Sequence, residues 1–197
     1  DGYCVRRNWI YATPNKGSAK RILNHTSLAL STVGGSLFKR DKPDVIIASS
    51  PPLFLGMSGY LLSRTKRVPS VFEVRDIWPQ QAVDLGMLTN QRIIQAMESL
   101  EMFYYRKAAR IIGVTQSTKR ILSARGVDPA KIEVIYNGTD LNKFQPQLAN
   151  ESLKKELGLA DKFVVSYIGT MGLSQGLKVV LEAAEMLQEQ YPQIHFL

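Results

Sequence analysis

The chain has 197 residues, 45% hydrophobic and 21% charged, the proportions of an ordinary globular protein. No apolar run is long enough to span a bilayer, and the single cysteine, Cys4, excludes an internal disulfide framework and fits a reducing compartment. The net charge of +8 is uneven: residues 1–147 hold 21 Lys/Arg against 11 Asp/Glu, while residues 148–197 hold 4 against 6, a shift that predicts two domains.

Residues 3–11 carry apolar and aromatic side chains and predict a strand. Thr13-Pro14-Asn15-Lys16-Gly17 reads as a turn. A helix opens at Ser18, where Leu23, Leu30 and Leu37, with Ala19, Ile22, Thr26 and Val33, form one apolar stripe. Lys39 and Arg40 suit its C-terminus. Residues 44–48 read as a buried strand ending in Ser49-Ser50-Pro51-Pro52. The helix predicted over 53–62 has Gly56 and Gly59 spaced for close packing against a sheet. Residues 71–74 form the next strand, and a loop through 85–87 leads to a long helix over 91–109. Ile93, Met97, Leu100 and Tyr104 share one face of it, with Ile94, Glu101 and Tyr105 adjacent.

A strand over 110–114 ends in Thr115-Gln116. A short helix over 117–125 closes at Gly126, and a strand over 132–136 ends in Asn137-Gly138-Thr139-Asp140. Residues 147–161, with a short charged helix near 151–157, predict a linker between a first domain over 1–146 and a second over 162–197. The second reads as a strand over 163–168, a glycine-rich turn, an amphipathic helix over 175–190 stopped by Tyr191-Pro192, and a strand from Ile194. That order is a βαβ unit with a right-handed crossover.

Strands alternating with helices predict an α/β fold with parallel sheets covered on both faces. Ligands of open α/β sheets bind outside the carboxyl ends of the strands. Those ends form a polar set: Ser49-Ser50, Arg75-Asp76, Thr115-Gln116, Asn137-Gly138 and Gly169-Thr170.

The richest stretch is 68–80, VPSVFEVRDIWPQ. Glu73 interrupts an apolar strand, and a carboxylate there calls for a partner. Side chains two apart on a strand share a face, so Arg75 is the expected partner and Asp76 points the other way. The pair reads equally as part of a cleft site or as an ion pair closing a strand end.

Gly169-x-x-Gly172-x-x-x-Gly176 follows a strand and opens a helix, where glycines let backbone approach a phosphate. It is neither GxGxxG nor a P-loop, and a tight strand-to-helix turn accounts for it equally well. There is no HExxH, no GxSxG and no metal-ligand cluster, so no metal is expected. His25 and His195 read as structural. The Phe103-Tyr104-Tyr105 cluster beside Arg106, Lys107 and Arg110 reads as helix packing with a basic edge rather than a lipid or base contact. Ile135-Tyr136-Asn137-Gly138-Thr139-Asp140, running on to Phe144-x-Pro146, reads as a strand, a turn and a hinge.

The run from Arg110 to Pro146 resembles the end of the N-terminal domain of family 4 retaining glycosyltransferases, which have the GT-B architecture of two Rossmann-like domains. Phe72-Glu73-Val74-Arg75-Asp76-Ile77-Trp78-Pro79 resembles a subgroup that includes fucosamine transferases of bacterial surface-polysaccharide assembly. Tyr167-Ile168-Gly169-Thr170, with Gln175-Gly176-Leu177, resembles the start of the donor-binding domain. The resemblance implies a chain that is a piece of a longer enzyme. The first strand and acceptor loop should precede Asp1, and a Glu-x7-Glu pair should follow Leu197.

It further implies metal-independent transfer, with retention, from a nucleotide-diphosphate sugar to a lipid-linked or saccharide acceptor, with no cofactor. Peripheral contact with an anionic membrane at the cytoplasmic face fits the basic first part. Asp76 and Arg75 are the implied catalytic residues. Ser49, Ser50, Glu73, Thr115 and Asn137 are implied to bind substrate, and Gly169, Thr170, Gly172 and Gln175 the donor. Many members carry Arg and Lys where this chain has Thr170 and Gln175. Competing readings are a non-catalytic anion- or nucleotide-binding module and a sugar-nucleotide epimerase of the same architecture. Nucleic-acid binding lacks a motif.

Overall fold

The computed structural model describes residues 2–13, 18–38, 42–148 and 150–197. The chain forms two compact units, 1–138 and 139–197. The expected turn at 14–17 and the basic pair Lys39-Arg40 lie outside the described residues.

Unit 1 begins with residues 2–13 as irregular backbone rather than the expected strand. The segment finds partners on the helix that follows, α1 (Ser18–Leu37). Tyr11 N donates to Ser27 Oγ at 2.9 Å, and Asn24 Nδ2 and Ser31 Oγ donate to the carbonyls of Tyr11 and Trp9. Side chains of one helix thus satisfy backbone groups that a sheet ladder would otherwise take.

The sheet is built from β1 (Ile46–Ser50), β2 (Ser70–Val74), β3 (Arg110–Gly113) and β4 (Ile132–Val134), in sequential order and all parallel. The connecting helices are α2 (Leu55–Lys66), the short α3 (Gln80–Asp84), α4 (Gln91–Lys107) and α5 (Gln116–Ala124). Right-handed crossovers between strands laid down in sequential order put their helices on one face. Burial follows that geometry. Ser70, Phe72, Val74, Ile111, Gly113 and Ile132 are buried, whereas Val71, Glu73 and Ile112 on the alternate face are half-buried and Ile47 is 61% exposed. The expectation of a sheet covered on both faces therefore fails for unit 1.

The core gathers Leu53, Phe72, Val74, Tyr104, Tyr105, Ile111, Leu122 and Ile132 between the sheet and its helices. Two glycines of α2 set its depth. A Cβ on Gly59 would meet Ala48 Cβ at 2.6 Å, and one on Gly56 would meet the Tyr104 ring at 2.6 Å. α1 packs beside α2, tied by Ser58 Oγ donating to the Ala29 carbonyl at 2.9 Å. Among its described residues the buried positions are Ser27 and Ala29, and the three leucines of the expected apolar stripe are turned outward. Leu23, Leu30 and Leu37 are 53%, 67% and 39% exposed.

Unit 2 holds α6 (Glu151–Glu156), β5 (Phe163–Val165), α7 (Lys178–Leu187) and β6 (Ile194–Phe196). β5 and β6 pair in parallel, as a βαβ unit requires. A 3-10 turn, Leu173–Gln175, precedes α7.

Candidate active site

The register of unit 1 aligns Ser50, Val74, Gly113 and Val134 across the sheet. Whatever follows those residues lies along one rim. From β1 the rim receives Ser50, with Ser49 one residue below it, from β2 Arg75 and Asp76, from β3 Thr115 and from β4 Asn137. Arg75 N donates to the Ser50 carbonyl at 3.0 Å, which fixes the backbone of Arg75 beside β1. Ser50 is 2% exposed, Ser49 and Asp76 are half-buried, and Arg75, Thr115 and Asn137 are exposed. The sequence-predicted residues of the first domain therefore lie along this edge, with Glu73 and its register partner Ser49 one residue below the level of Ser50 and Val74.

Glu73 and Arg75 form no ion pair among the described residues. The pairing was expected from strand periodicity, but β2 ends at Val74, so the two-residue alternation does not reach Arg75. Half-exposed on an uncovered face, Glu73 keeps enough water to need no cation. Among the described residues, no hydrogen bond or ion pair engages the Asp76 carboxylate either.

Thr115 has a second task. As N-cap of α5 its Oγ1 accepts from Thr118 N at 3.0 Å, which anchors the helix start at the rim. The far end of α5 is held by a group that sequence reasoning placed only on a helix face. Glu101 of α4 is 1% exposed; it accepts from Tyr105 Oη at 2.5 Å, and Arg125 Nη2 lies 2.7 Å from its Oε2. Burial pushes the Glu101 carboxyl above its ordinary range despite the Tyr105 hydrogen bond and the Arg125 charge, and burial raises the Tyr105 phenol. The i, i+4 spacing of Glu101 and Tyr105 was legible; the partnership with Arg125, across an intervening strand, had no local signal.

In unit 2 the glycine-rich turn is closed by its own side chains. Gln175 Oε1 accepts from Gly172 N at 3.0 Å and from Ser174 Oγ at 3.1 Å, and Tyr167 Oη donates to the Thr170 carbonyl at 3.0 Å. Gly176 takes φ 61°, a left-handed conformation suited to glycine. Gly169, Thr170, Gly172 and Gln175 are all exposed and lie within this one turn. Among the described residues, no three His, Cys, Asp or Glu side chains gather as a metal site.

Comparison with known proteins agrees with this architecture. WcaI of Escherichia coli K12, named for a colanic acid biosynthesis glycosyl transferase, is 25% identical over 189 residues, covering 92% of this chain and 46% of WcaI. The E. coli UDP-Gal:alpha-D-GlcNAc-diphosphoundecaprenol alpha-1,3-galactosyltransferase is 29% identical over 157 residues, covering 78% of this chain and 38% of that enzyme. The chain thus spans less than half the length of these relatives. The crystal structure of Anabaena Alr3699/HepE in complex with UDP-glucose superposes with a TM-score of 0.61 at 22% identity, over 91% of this chain and 44% of that one, a likeness of GT-B fold. The glycosyl transferase 4-like domain profile matches residues 1–138, and the chain belongs to that family.

Proposed function

We propose that residues 1–197 are most of the acceptor-side domain and the start of the donor-side domain of a retaining glycosyltransferase. It would move a sugar from a nucleoside-diphosphate sugar to a lipid-linked saccharide in surface-polysaccharide synthesis, at the cytoplasmic face of a membrane. The rim of unit 1 carries the reading: four adjacent parallel strands deliver Ser50, Arg75-Asp76, Thr115 and Asn137 to one edge, in a chain whose relatives are glycosyltransferases.

In the transfer, the bond from the sugar's anomeric carbon to the diphosphate breaks and the diphosphate leaves with the electron pair. A bond from the acceptor hydroxyl oxygen forms on the same face, and the hydroxyl proton passes to the departing diphosphate. Negative charge grows on the leaving group, so fixed cations and N–H dipoles are what accelerate the step. Asp76 orients the sugar or the acceptor hydroxyl, and Arg75, exposed beside it, meets phosphate. Uridine diphosphate is the favoured nucleotide, since the structural neighbour was crystallised with UDP-glucose and a relative is named for UDP-Gal. No cofactor beyond the donor is required. Thr170 and Gln175 offer no charge to the diphosphate, so backbone N–H groups of the 169–177 turn and cations elsewhere in the gene product take that part. Membership of the fucosamine-transferase subgroup rests on the 72–79 motif alone.

The test is to incubate the full gene product with UDP-sugars and a prenyl-diphosphate-linked saccharide and to weigh the product. A gain of one sugar with retained anomeric configuration supports the proposal. Nucleotide binding without transfer to any acceptor would replace it with the binding-module reading.

A further inference from the structure

The chain passes from unit 1 to unit 2 at Asn137-Gly138, with Gly138 the last residue of the first and Thr139 the first of the second. β4 ends at Val134, and the Ile135 N–H still donates to the Gly113 carbonyl at 3.0 Å. Beyond that bond the backbone is let go. Residues 135–140 are all exposed, and among the described residues no hydrogen bond engages the Asn137 side chain or the Gly138 N–H. A Cβ built on Gly138 would find no atom within 4 Å, so nothing crowds the peptide that follows Asn137. Glycine at that position also leaves φ and ψ a wide range.

The other described asparagines are held. Asn8 Nδ2 donates to Thr32 Oγ1 at 3.3 Å, and Asn24 Nδ2, within α1, donates to the Tyr11 carbonyl at 2.9 Å. Asn90 and Asn150 are N-caps, with Oδ1 accepting from helix N–H groups. At Asn142 the N–H of the following residue, Lys143, donates to the Asp140 carbonyl at 3.1 Å. Each lock either turns the side-chain amide away from the next residue's nitrogen or keeps that nitrogen occupied. Asn137 has neither lock, and it is the one asparagine of the sequence that a glycine follows.

We propose that Asn137 is a self-modification site, where the chain deamidates through a cyclic imide formed with Gly138. Base takes the Gly138 N–H proton, and the nitrogen's electron pair bonds to Asn137 Cγ. The Cγ–Nδ2 bond breaks, and ammonia leaves with that bond's pair and a proton. Water then opens the ring: its oxygen bonds to one imide carbonyl carbon, and a proton returns to the Gly138 nitrogen. Breaking the nitrogen's bond to Cγ leaves aspartate. Breaking its bond to the backbone carbonyl carbon leaves isoaspartate, whose main chain runs through Cβ and is longer by a methylene. Either product puts a carboxylate where the rim carried a neutral amide, and isoaspartate also lengthens the connection between the units. The site stands apart from the transferase reading, but one consequence rests on it: a negative charge there opposes the departing diphosphate, so the modified enzyme transfers less.

The test is to incubate the native chain at mildly alkaline pH, digest it and sequence the peptide of residues 132–143 by mass spectrometry. Position 137 should gain the mass difference between O and NH and take up heavy oxygen from labelled water. The product should separate into aspartate and isoaspartate forms, the latter labelled by an isoaspartate methyltransferase. Asn142, in the same peptide, should stay unchanged. Asn137→Gln, which would need a larger ring, should abolish the product, and Gly138→Ala should slow it about tenfold by crowding the nitrogen. The native chain should react within about tenfold of the free peptide, as a segment that opens at little cost would. No mass gain at 137 overturns the proposal. So does gain spread equally over Asn8 and Asn142, or a native chain roughly 10²-fold slower than the peptide. In the full gene product, transfer should fall in step with the modified fraction. Modified enzyme that transfers at the parent rate overturns that consequence, and a gene product that deamidates at 137 but never transfers refutes the transferase reading and keeps the site.

Discussion

Arg125 places Nη2 2.7 Å from Oε2 of Glu101, joining the C-cap of α5 to the buried face of α4. The contact is an ion pair between a carboxylate 1% exposed and a guanidinium still partly in water. Removing one member of a buried pair costs more than the pair contributes, because the other charge is left stranded. Arg125 can turn outward, so Glu101→Ala should destabilise unit 1 by roughly 2–4 kcal/mol, at the lower end of such losses. The sign of the pH dependence follows from burial. The folded state holds the Glu101 proton to higher pH than the unfolded chain, whose value is near 4.5. Its contribution is therefore full below about that pH and declines as pH rises through the folded value. Urea melts of the parent and of Glu101→Gln across this range should show the parent's relative advantage shrinking upward. An advantage that grows with pH would mean the Arg125 charge, not burial, dominates.

Gly56 tests the packing of α2. Replacing a helical glycine by alanine is ordinarily stabilising by about 1 kcal/mol. Here the new methyl would lie 2.6 Å from two carbons of the Tyr104 ring, itself tilted against Phe72 with ring centroids 5.4 Å apart. Overpacking of a filled core costs about 1–3 kcal/mol, which exceeds the propensity gain. Gly56→Ala should thus lower the denaturation midpoint, and Gly59→Ala, facing Ala48 on the sheet, should do the same. A raised midpoint in either would show that α2 has room to lift.

These relationships show how far the sequence carried. The parallel strands were legible because each is a short branched-apolar run that breaks into polar residues at one end, and the rim followed from that shared polarity. The helix stripe at Leu23, Leu30 and Leu37 was legible as periodicity but not as orientation; α1 instead buries Ala29, whose carbonyl takes the Ser58 hydroxyl of α2, and Ser27, whose hydroxyl takes the Tyr11 N–H. Residues 3–11 have strand composition, yet their backbone partners are hydroxyl and amide side chains of α1, a choice no local pattern encodes. Glu73 was overread, since its face of the sheet proved uncovered. Glu101 was underread, since its partner lies 24 residues away behind a strand. Local pattern fixes elements; which face is covered is settled only by what else arrives.

Asp76 is the residue on which the proposed chemistry turns. It stands half-buried at the rim, next to Arg75, whose N–H is held by Ser50. A carboxylate left without a partner beside a polar rim is poised to accept a hydrogen bond from a sugar or acceptor hydroxyl. Asparagine keeps its size and one acceptor oxygen but loses the charge. In the full gene product Asp76→Asn should reduce turnover by roughly 10²-fold or more, the scale of a positioned acid–base group. The melting midpoint should stay within the scatter of the parent, because no described residue depends on the carboxylate for a hydrogen bond or ion pair. Arg75→Ala separates the two roles. It should weaken binding of a diphosphate-bearing substrate and raise KM more than it lowers kcat, whereas Asp76→Asn should act chiefly on kcat. Unchanged turnover in Asp76→Asn, with the fold intact, would remove Asp76 from the reaction and move the search along the rim to Ser49, Thr115 and Asn137.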